Sequence, residues 1–307
     1  SKRMLQGYHS AVFFFQSSIE TLLKEDEDIK FSLWVDDLLL WAESVPELIA
    51  QAKRVFKLFT KKNVKVNWEK SQWFIPKVIF LGREISTDGL RFDPKKIEGI
   101  ARMETPKDAA ALCKFIHTTG FMRSSILDYA RVSEPLHDLL EQIMKISGSR
   151  KKKKFGKTAI EEYWEDKHQS AFEKIKQRLI KGIVINPINS EYDVFVFGDA
   201  SESGWGLLVT QCSQIDRNLP YMKRKHYPLV AMSGLFRGTA AGWTIPAKEV
   251  FPFTVAADKL QWLLHREKGF TIVCDNQAMV NFLMKKDSSK DNFLDKVFRW
   301  RLKLAPF

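Results

Sequence analysis

The chain has 307 residues, enough to bury a sizeable core and to form two domains. Its 45% hydrophobic and 28% charged residues match an ordinary soluble balance, and no stretch reaches the 18 apolar residues of a spanning helix. A formal charge of +12 suits a polyanionic partner, although a ribosomal or membrane-surface protein would carry the same surplus.

The opening "SKRMLQGYHSAVFFFQ" has a basic start and a short apolar run but no small-residue cleavage site, so it does not read as a signal peptide. Residues 11 to 24 predict a helix with an aromatic face. "IKFSLWVDDLLLWA" predicts strand, turn, strand: Phe31, Leu33 and Val35 alternate to one side, and Leu38 and Leu40 resume after Asp36 and Asp37. Residues 46 to 62 predict an amphipathic helix with Pro46 early and Leu48, Ala52, Val55 and Phe59 on one stripe. "VKVNWEKSQWF" and "VIFLGREIS" are expected strands, followed by a "TDGL" turn at 87 to 90. Helices follow: Asp93 caps one that starts at Pro94, Thr105 caps one that starts at Pro106 and stops at Gly120, and another covers 134 to 146.

"GSRKKKKFGK", residues 148 to 157, reads as a linker, and residues 144 to 182 carry 12 Lys or Arg against 5 acidic residues. The run is either a solubilising tether or a phosphate-contacting patch through Arg150, Lys151, Lys152, Lys153 and Lys154. "WEDKHQSAFEKIKQRLIKG" is an expected helix. "YDVFVFGDASESGWGLLVTQ" predicts a strand, a small-residue turn and a second strand. "EVFPFTVAADKLQWLLHREKG" predicts a helix despite Pro252, "FTIVCDNQAMVNFL" strand then helix, and "DNFLDKVFRWRLKLAPF" a further helix. Cys113, Cys212 and Cys274 form no close pair, which excludes a zinc knuckle or a disulfide framework and points to a reducing, intracellular compartment, cytoplasm or nucleus.

Two sets of acids carry the candidate chemistry. Asp36 and Asp37 are adjacent between apolar strands, where two carboxylates stay ionised at low cost only beside a cation. Magnesium, a hard ion that prefers oxygen, meets that need, and a plain polar turn is the alternative. Asp199 and Asp275 each end a strand and Glu249 opens a long helix, at spacings of 50 and 26 residues. Together they could hold two divalent ions that activate a water and stabilise a leaving oxygen on phosphate. Singly they could be turn residues and a helix N-terminal charge.

In this order the motifs resemble the reverse transcriptase and ribonuclease H region of the Pol polyprotein of gypsy-type LTR retrotransposons. "LQGYHSAVFFFQSSIETLL" is similar to the palm helix after a Pro-Gln-Gly motif, and "LWVDDLLLWAES" to the Tyr-X-Asp-Asp hairpin. "VKVNWEKSQWF" and "VIFLGREISTDGLRFDPKKIEGI" are similar to the primer-side strands and the start of the thumb, and "FMRSSILDYARVSEPLHDLL" to a thumb segment. "WEDKHQSAFEKIKQRL" is similar to the connection helix. "FGDASESGWGLLVTQ", "IPAKEVFPFTVAADKLQWLL" and "FTIVCDN" are similar to the ribonuclease H elements. The resemblance implies a multidomain α+β and α/β fold: a partial polymerase palm over residues 1 to 90, thumb helices over 91 to 147, a basic linker and connection helix over 148 to 190, and a ribonuclease-H-like α/β domain over 191 to 307. It implies metal-binding and catalytic roles for Asp36 and Asp37 in the palm and for Asp199, Glu249 and Asp275 in the nuclease half. Two magnesium ions, or manganese in their place, would serve each site. Implied partners are an RNA template, a primer, an RNA–DNA hybrid and, once palm and fingers are complete, dNTPs; no membrane is implied.

The departures shape the expectation. Trp34 stands where the family has Tyr and would lie beside the primer end. Leu5, Gln6 and Gly7 lack the preceding Pro, and Pro246, Ala247 and Lys248 replace the usual residues before Glu249. Fingers, a further palm Asp and a last ribonuclease H Asp have no counterpart in these residues. The chain is therefore expected to be an internal piece of Pol or the product of a decayed copy, inactive alone as a polymerase. A catalytically dead basic nucleic-acid-binding remnant and a nonfunctional relic remain the alternatives.

Overall fold

The computed structural model describes residues 7–276 and 295–304. The Leu5–Gln6 pair, the helix expected after Asp275 and Phe307 lie outside them. Internal contacts gather the chain into two units, one ending at Leu81 and one beginning at Gly82.

In the first unit, α1 (Ala11–Leu23) buries Ile19, Leu22 and Leu23 and leaves Phe13, Phe14 and Phe15 exposed. Strands β1 (Phe31–Trp34) and β2 (Asp37–Leu40) pair antiparallel, Phe31 opposite Leu40 and Trp34 opposite Asp37. Helix α2 (Val45–Lys61) starts as its sequence dictates: the Ser44 side chain accepts the Glu47 N–H, and Pro46 fills the first turn, where no N–H is needed. Its apolar stripe, through Val55 and Phe59, closes over Phe31, Leu33, Leu38 and Leu40. Val35 leaves the expected alternation because it forms the turn.

The expected strand at 64 to 74 is not one. Val64 and Val66 do face the core, but Asn67 then turns the chain: its side chain accepts the Lys70 N–H at 3.2 Å and its carbonyl accepts the Ser71 hydroxyl at 2.7 Å. Asn side chains compete in this way with ladder hydrogen bonds. Strand β3 (Lys77–Phe80) follows.

The second unit opens with the antiparallel pair β4 (Arg83–Ser86) and β5 (Gly89–Phe92), turned at 87 and 88. Asp93 caps α3 (Pro94–Ala101) by accepting the Lys95 N–H at 2.9 Å. The next helix, α4 (Ala109–Phe121), begins later than Thr105 and Pro106 suggest. Asp108 is its cap, accepting the Ala111 N–H at 2.7 Å, and Gly120 lies inside its last turn. Helix α5 (Tyr129–Ile146) starts five residues before the predicted 134, so Pro135 sits within it. α6 (Lys152–Phe155) is one turn, and α7 (Asp166–Lys181) starts on a capping box between Glu165 and His168.

α3, α4, α5 and α7 share one core, built on Leu112, Phe115, Leu136, Ile143, Phe172 and Ile175. The basic run belongs to it. Phe155 is 2% exposed inside this core, the Gly156 and Thr158 carbonyls accept the Ala110 and Ala109 N–H groups at 3.0 Å each, and the Ile160 N–H bonds the Lys107 carbonyl at 3.2 Å. Residues 148 to 157 are thus a fastened strap with lysines on its outside, not a free tether.

The α/β layer is a four-stranded sheet in the order β8-β7-β6-β9. β6 (Asp193–Ala200), β7 (Gly204–Cys212) and β8 (Tyr227–Leu235) run antiparallel, and β9 (Thr271–Val273) joins β6 in parallel. β8 is unforeseen: Pro228 and Gly234 punctuate its sequence, and an edge strand is where a proline is tolerated. Helix α8 (Ile245–Lys259) lies on β6 and β7 and is followed by α9 (Gln261–Leu264) and α10 (Asp295–Leu304). Gly198 permits the close seating of α8, since a Cβ there would meet the Phe253 ring at 2.5 Å.

Cutting Phe155 to Ala should destabilise the second unit by about 3 kcal/mol or more, measured by urea unfolding. Lys153→Ala, on the outside of the strap, should change stability by less than about 0.5 kcal/mol.

Candidate active sites

The hairpin holds its acids on a two-residue turn. Trp34 and Asp37 are paired across the strands, and Val35 and Asp36 make the connection. Val35 takes φ +54, a left-handed conformation that a β-branched residue rarely adopts. Only the first turn residue has positive φ, the pattern of a type II′ turn that ordinarily uses Gly. This strained turn presents Asp36 and Asp37 exposed, with Trp34 beside them 56% exposed. Trp34 is therefore an open surface ring rather than a packed one. Among the described residues no third carboxylate joins the pair as a metal-ligand group.

The second acidic set collects at one end of the four-stranded sheet. Asp199 is exposed near the end of β6, opposite Gly206 of β7. Asp275 lies just past β9, which runs parallel to β6 and so ends on the same side. Glu249 sits one turn into α8, which starts four residues before Glu249. Pro246, a departure at the level of motif, occupies the first turn of that helix, where the missing N–H costs nothing. Pro252 is mid-helix and buried, not near the start, and denies the Lys248 carbonyl its helical partner.

Electrostatics tie the three acids together. Burial pushes the Glu249 carboxyl above its usual range; the Asn276 amide, donating to Oε2, pulls it back, and the charges of Asp275 and Asp199 push it up again. Burial likewise raises the Cys274 thiol, with Asp275 and Glu249 adding to it. Three carboxylates that repel one another are a donor set suited to a hard divalent ion. Yet among the described residues no three acidic, His or Cys side chains stand as a ready ligand set. The convergence expected from the sequence is an electrostatic neighbourhood, not preformed coordination.

Three further residues at this site were given no functional role by the sequence. Arg131 of α5 reaches Asp199 at 3.5 Å while its Nε donates to Asp128 at 2.7 Å. Asn276 bonds Glu249, as described. Lys248, adjacent to Glu249, is buried and turned away, donating to the Glu202 carbonyl at 2.7 Å. Asn276 had a faint signal as the neighbour of a strand-end Asp; Arg131 had none, since 68 positions separate it from Asp199. In the basic strap, Arg150 is paired with Glu141, whereas Lys151, Lys153 and Lys154 are exposed.

An exposed acidic hairpin and an α/β layer with acids gathered at one sheet end are the two features that the comparisons with known proteins address. The family model for reverse transcriptase (RNA-dependent DNA polymerase) matches residues 1–85, and that for the RNase H-like domain found in reverse transcriptase matches residues 189–307. The retrovirus-related Pol polyprotein from transposon opus of Drosophila melanogaster is 24% identical over 99% of this chain and 28% of its own length. That from transposon gypsy of the same organism is 23% identical over 97% of this chain and 27% of its own length. The transposon Tf2-3 polyprotein of Schizosaccharomyces pombe is 22% identical over 99% of this chain and 21% of its own length. The foamy viral protease-reverse transcriptase in complex with double-stranded DNA shares the fold at TM-score 0.74 and 19% identity, covering 99% of this chain and 58% of that one. Its complex with an RNA/DNA hybrid gives TM-score 0.68. The chain thus carries a reverse-transcriptase segment and an RNase H-like domain, and its homologues are the Pol polyproteins of the opus, gypsy and Tf2 retrotransposons. It spans about a quarter of the length of the curated relatives it matches.

The raised Glu249 carboxyl has a consequence for stability. The folded state binds this proton more tightly than the unfolded state, so its charge costs stability as pH rises from the ordinary Glu range through the raised value. Glu249→Gln keeps an acceptor for Asn276 and should raise the melting temperature at pH 7. The gain should vanish below the ordinary Glu range, where both states are protonated. A melting temperature lowered at pH 7 would contradict the repulsion.

Proposed function

We propose that this chain acts on an RNA–DNA hybrid, with Asp199, Glu249 and Asp275 holding divalent metal for hydrolysis of the RNA strand. The observation that carries the reading is the Glu249 carboxyl, raised in part by the charges of Asp275 and Asp199 from two strand ends. Magnesium, or manganese in its place, would supply Lewis acidity and an activated water there. The chain's own contribution is to seat the three carboxylates on β6, α8 and the end of β9, and to hold Glu249 through Asn276. Asp36 and Asp37 would take the corresponding role in the palm, beside a primer end flanked by Trp34. Their pair, without a third acid among the described residues, supports binding of one ion and no primer extension by the chain alone. dNTPs would be substrates only where a complete palm and fingers are supplied.

A second reading has its own support. Arg131 already pairs with Asp199 at 3.5 Å, and the exposed lysines of the strap suit phosphates, as a binding protein without turnover would require.

Cleavage decides between them. Full chain 1–307 should cut the RNA strand of a hybrid slowly with manganese and more slowly with magnesium, and Asp199→Asn should return the rate to that without metal. Activity that survives Asp199→Asn, or none in either metal, would remove the nuclease reading. Under both readings, changing Lys151, Lys152, Lys153 and Lys154 to Ala should weaken hybrid binding. The log–log salt slope should fall by roughly 1 for each phosphate that is no longer neutralised. An unchanged slope would make the run only a solvated strap.

A further inference from the structure

The palm-side unit exposes a cluster of aromatic rings that none of the acidic chemistry uses. Trp68 is 61% exposed and Trp73 39% exposed, and both lean on Phe56 of α2. The two indoles stack on each other with centroids 5.5 Å apart and planes 28° apart; Phe56 lies 5.1 Å from Trp68 and 5.8 Å from Trp73. The arrangement is built rather than accidental. The Asn67 turn folds the chain back so that indoles five positions apart meet. Beyond them Phe74 continues the aromatic surface, exposed and at φ +52. Exposed aromatic surface of this extent marks an interaction site more often than a solvated face.

The charge around it selects the occupant. Residues 53 to 77 contain eight Lys or Arg and one acid, Glu69. Arg54 is taken by Asp26 and Asp28, and Lys61 lies near Glu25. The remaining lysines of this stretch have no carboxylate partner among the described residues; Lys53 shares the Phe56 face of α2 at a spacing of three, and Lys70 follows Trp68 by two. Protein interfaces favour Trp and Phe but are depleted in Lys. Stacked rings edged by lysines match single-stranded nucleic acid, whose bases stack on aromatic faces while its phosphates meet cations. A duplex offers no such faces, because its bases already stack on one another.

We propose that Phe56, Trp68 and Trp73 form a stacking platform for the bases of single-stranded nucleic acid, with the flanking lysines meeting its phosphates. The platform does not rest on the nuclease reading: loss of hybrid cleavage would leave it standing, and its own failure would leave cleavage untouched.

The test is fluorescence anisotropy of full chain 1–307 with labelled 15-mers of dT and U, set against a labelled RNA–DNA hybrid. Two double variants decide it. Trp68→Phe with Trp73→Phe keeps π faces; Trp68→Leu with Trp73→Leu keeps apolar bulk without them. The Phe pair should bind single strands within about threefold of the parent, and the Leu pair about tenfold or more weaker, as loss of base–aromatic stacking requires. The salt slope should be unchanged in both, because every lysine is kept. Hybrid binding should be equal in all three, which also shows that the variants are folded. A Leu pair that binds single strands like the parent overturns the platform. So does a parent that self-associates in sedimentation where the Leu pair does not, since the rings would then cover a protein contact.

Discussion

Helix α5 is the element on which the geometry of the larger unit depends. One face gives Leu136, Leu139, Leu140 and Ile143 to the helical core. The other reaches the sheet: the Ala130 N–H donates to Ser233 at 3.1 Å, Glu134 accepts the Ser203 hydroxyl at 3.1 Å, and Asp138 pairs with Arg237 at 3.1 Å. Tyr129 anchors the start of the helix by donating to the Ile116 carbonyl at 3.1 Å and sharing a 3.0 Å hydrogen bond with Thr119. The same helix carries Arg131 to Asp199. The helical bundle and the α/β layer thereby share one helix, and Asp199 is held in register with both.

The two acidic sites solve one problem differently. Adjacent like charges must be kept from relaxing apart or being swallowed by the core. The palm hairpin does so by backbone strain, with Val35 in a left-handed turn braced by strands whose inner faces are locked under α2. The α/β layer does so by spreading its acids over three elements and burying one of them in part. The cost appears where burial and repulsion coincide, at Glu249. Rigid elements beneath each site make this tolerable: Phe253 seated against Gly198 leaves α8 little freedom to carry Glu249 away.

What could be read from the sequence followed the strength of local signals. Alternation of Phe31, Leu33, Leu38 and Leu40 around two aspartates has one economical solution, and the hairpin is it. Asp93 before Pro94 marked a true cap, whereas Thr105 before Pro106 offered the same pattern and lost to Asp108, whose side chain reaches the Ala111 N–H. Valines at 64 and 66 looked like a strand because periodicity does not register that Asn67 can satisfy a turn locally. β8 was hidden by Pro228 and Gly234, residues that break a central strand but suit an edge. The strap misled for the opposite reason. Five lysines dominate its composition, while the residue that determines its structure is the single Phe155. Arg131 beside Asp199 is purely tertiary, and no spacing could have shown it.

The positive charge of the chain is concentrated rather than spread. Residues 53 to 77 and residues 144 to 182 are each +7, more together than the whole chain's +12, so everything else is slightly acidic. A surplus spread evenly would serve solubility. One confined to two stretches, each pinned to a core by aromatic side chains, makes fixed basic surfaces at the cost of self-repulsion within each. That repulsion is tolerable because Phe59 and Phe155 tie their stretches to packed cores, and the exposed lysines point outward. The acids that follow them lie near few cations among the described residues; Asp199 draws on Arg131, and Glu249 accepts from the Asn276 amide. Positive charge gathered into surfaces, apart from the carboxylates at the sheet end, is the separation that the proposed reading of a polyanion and a metal cation calls for.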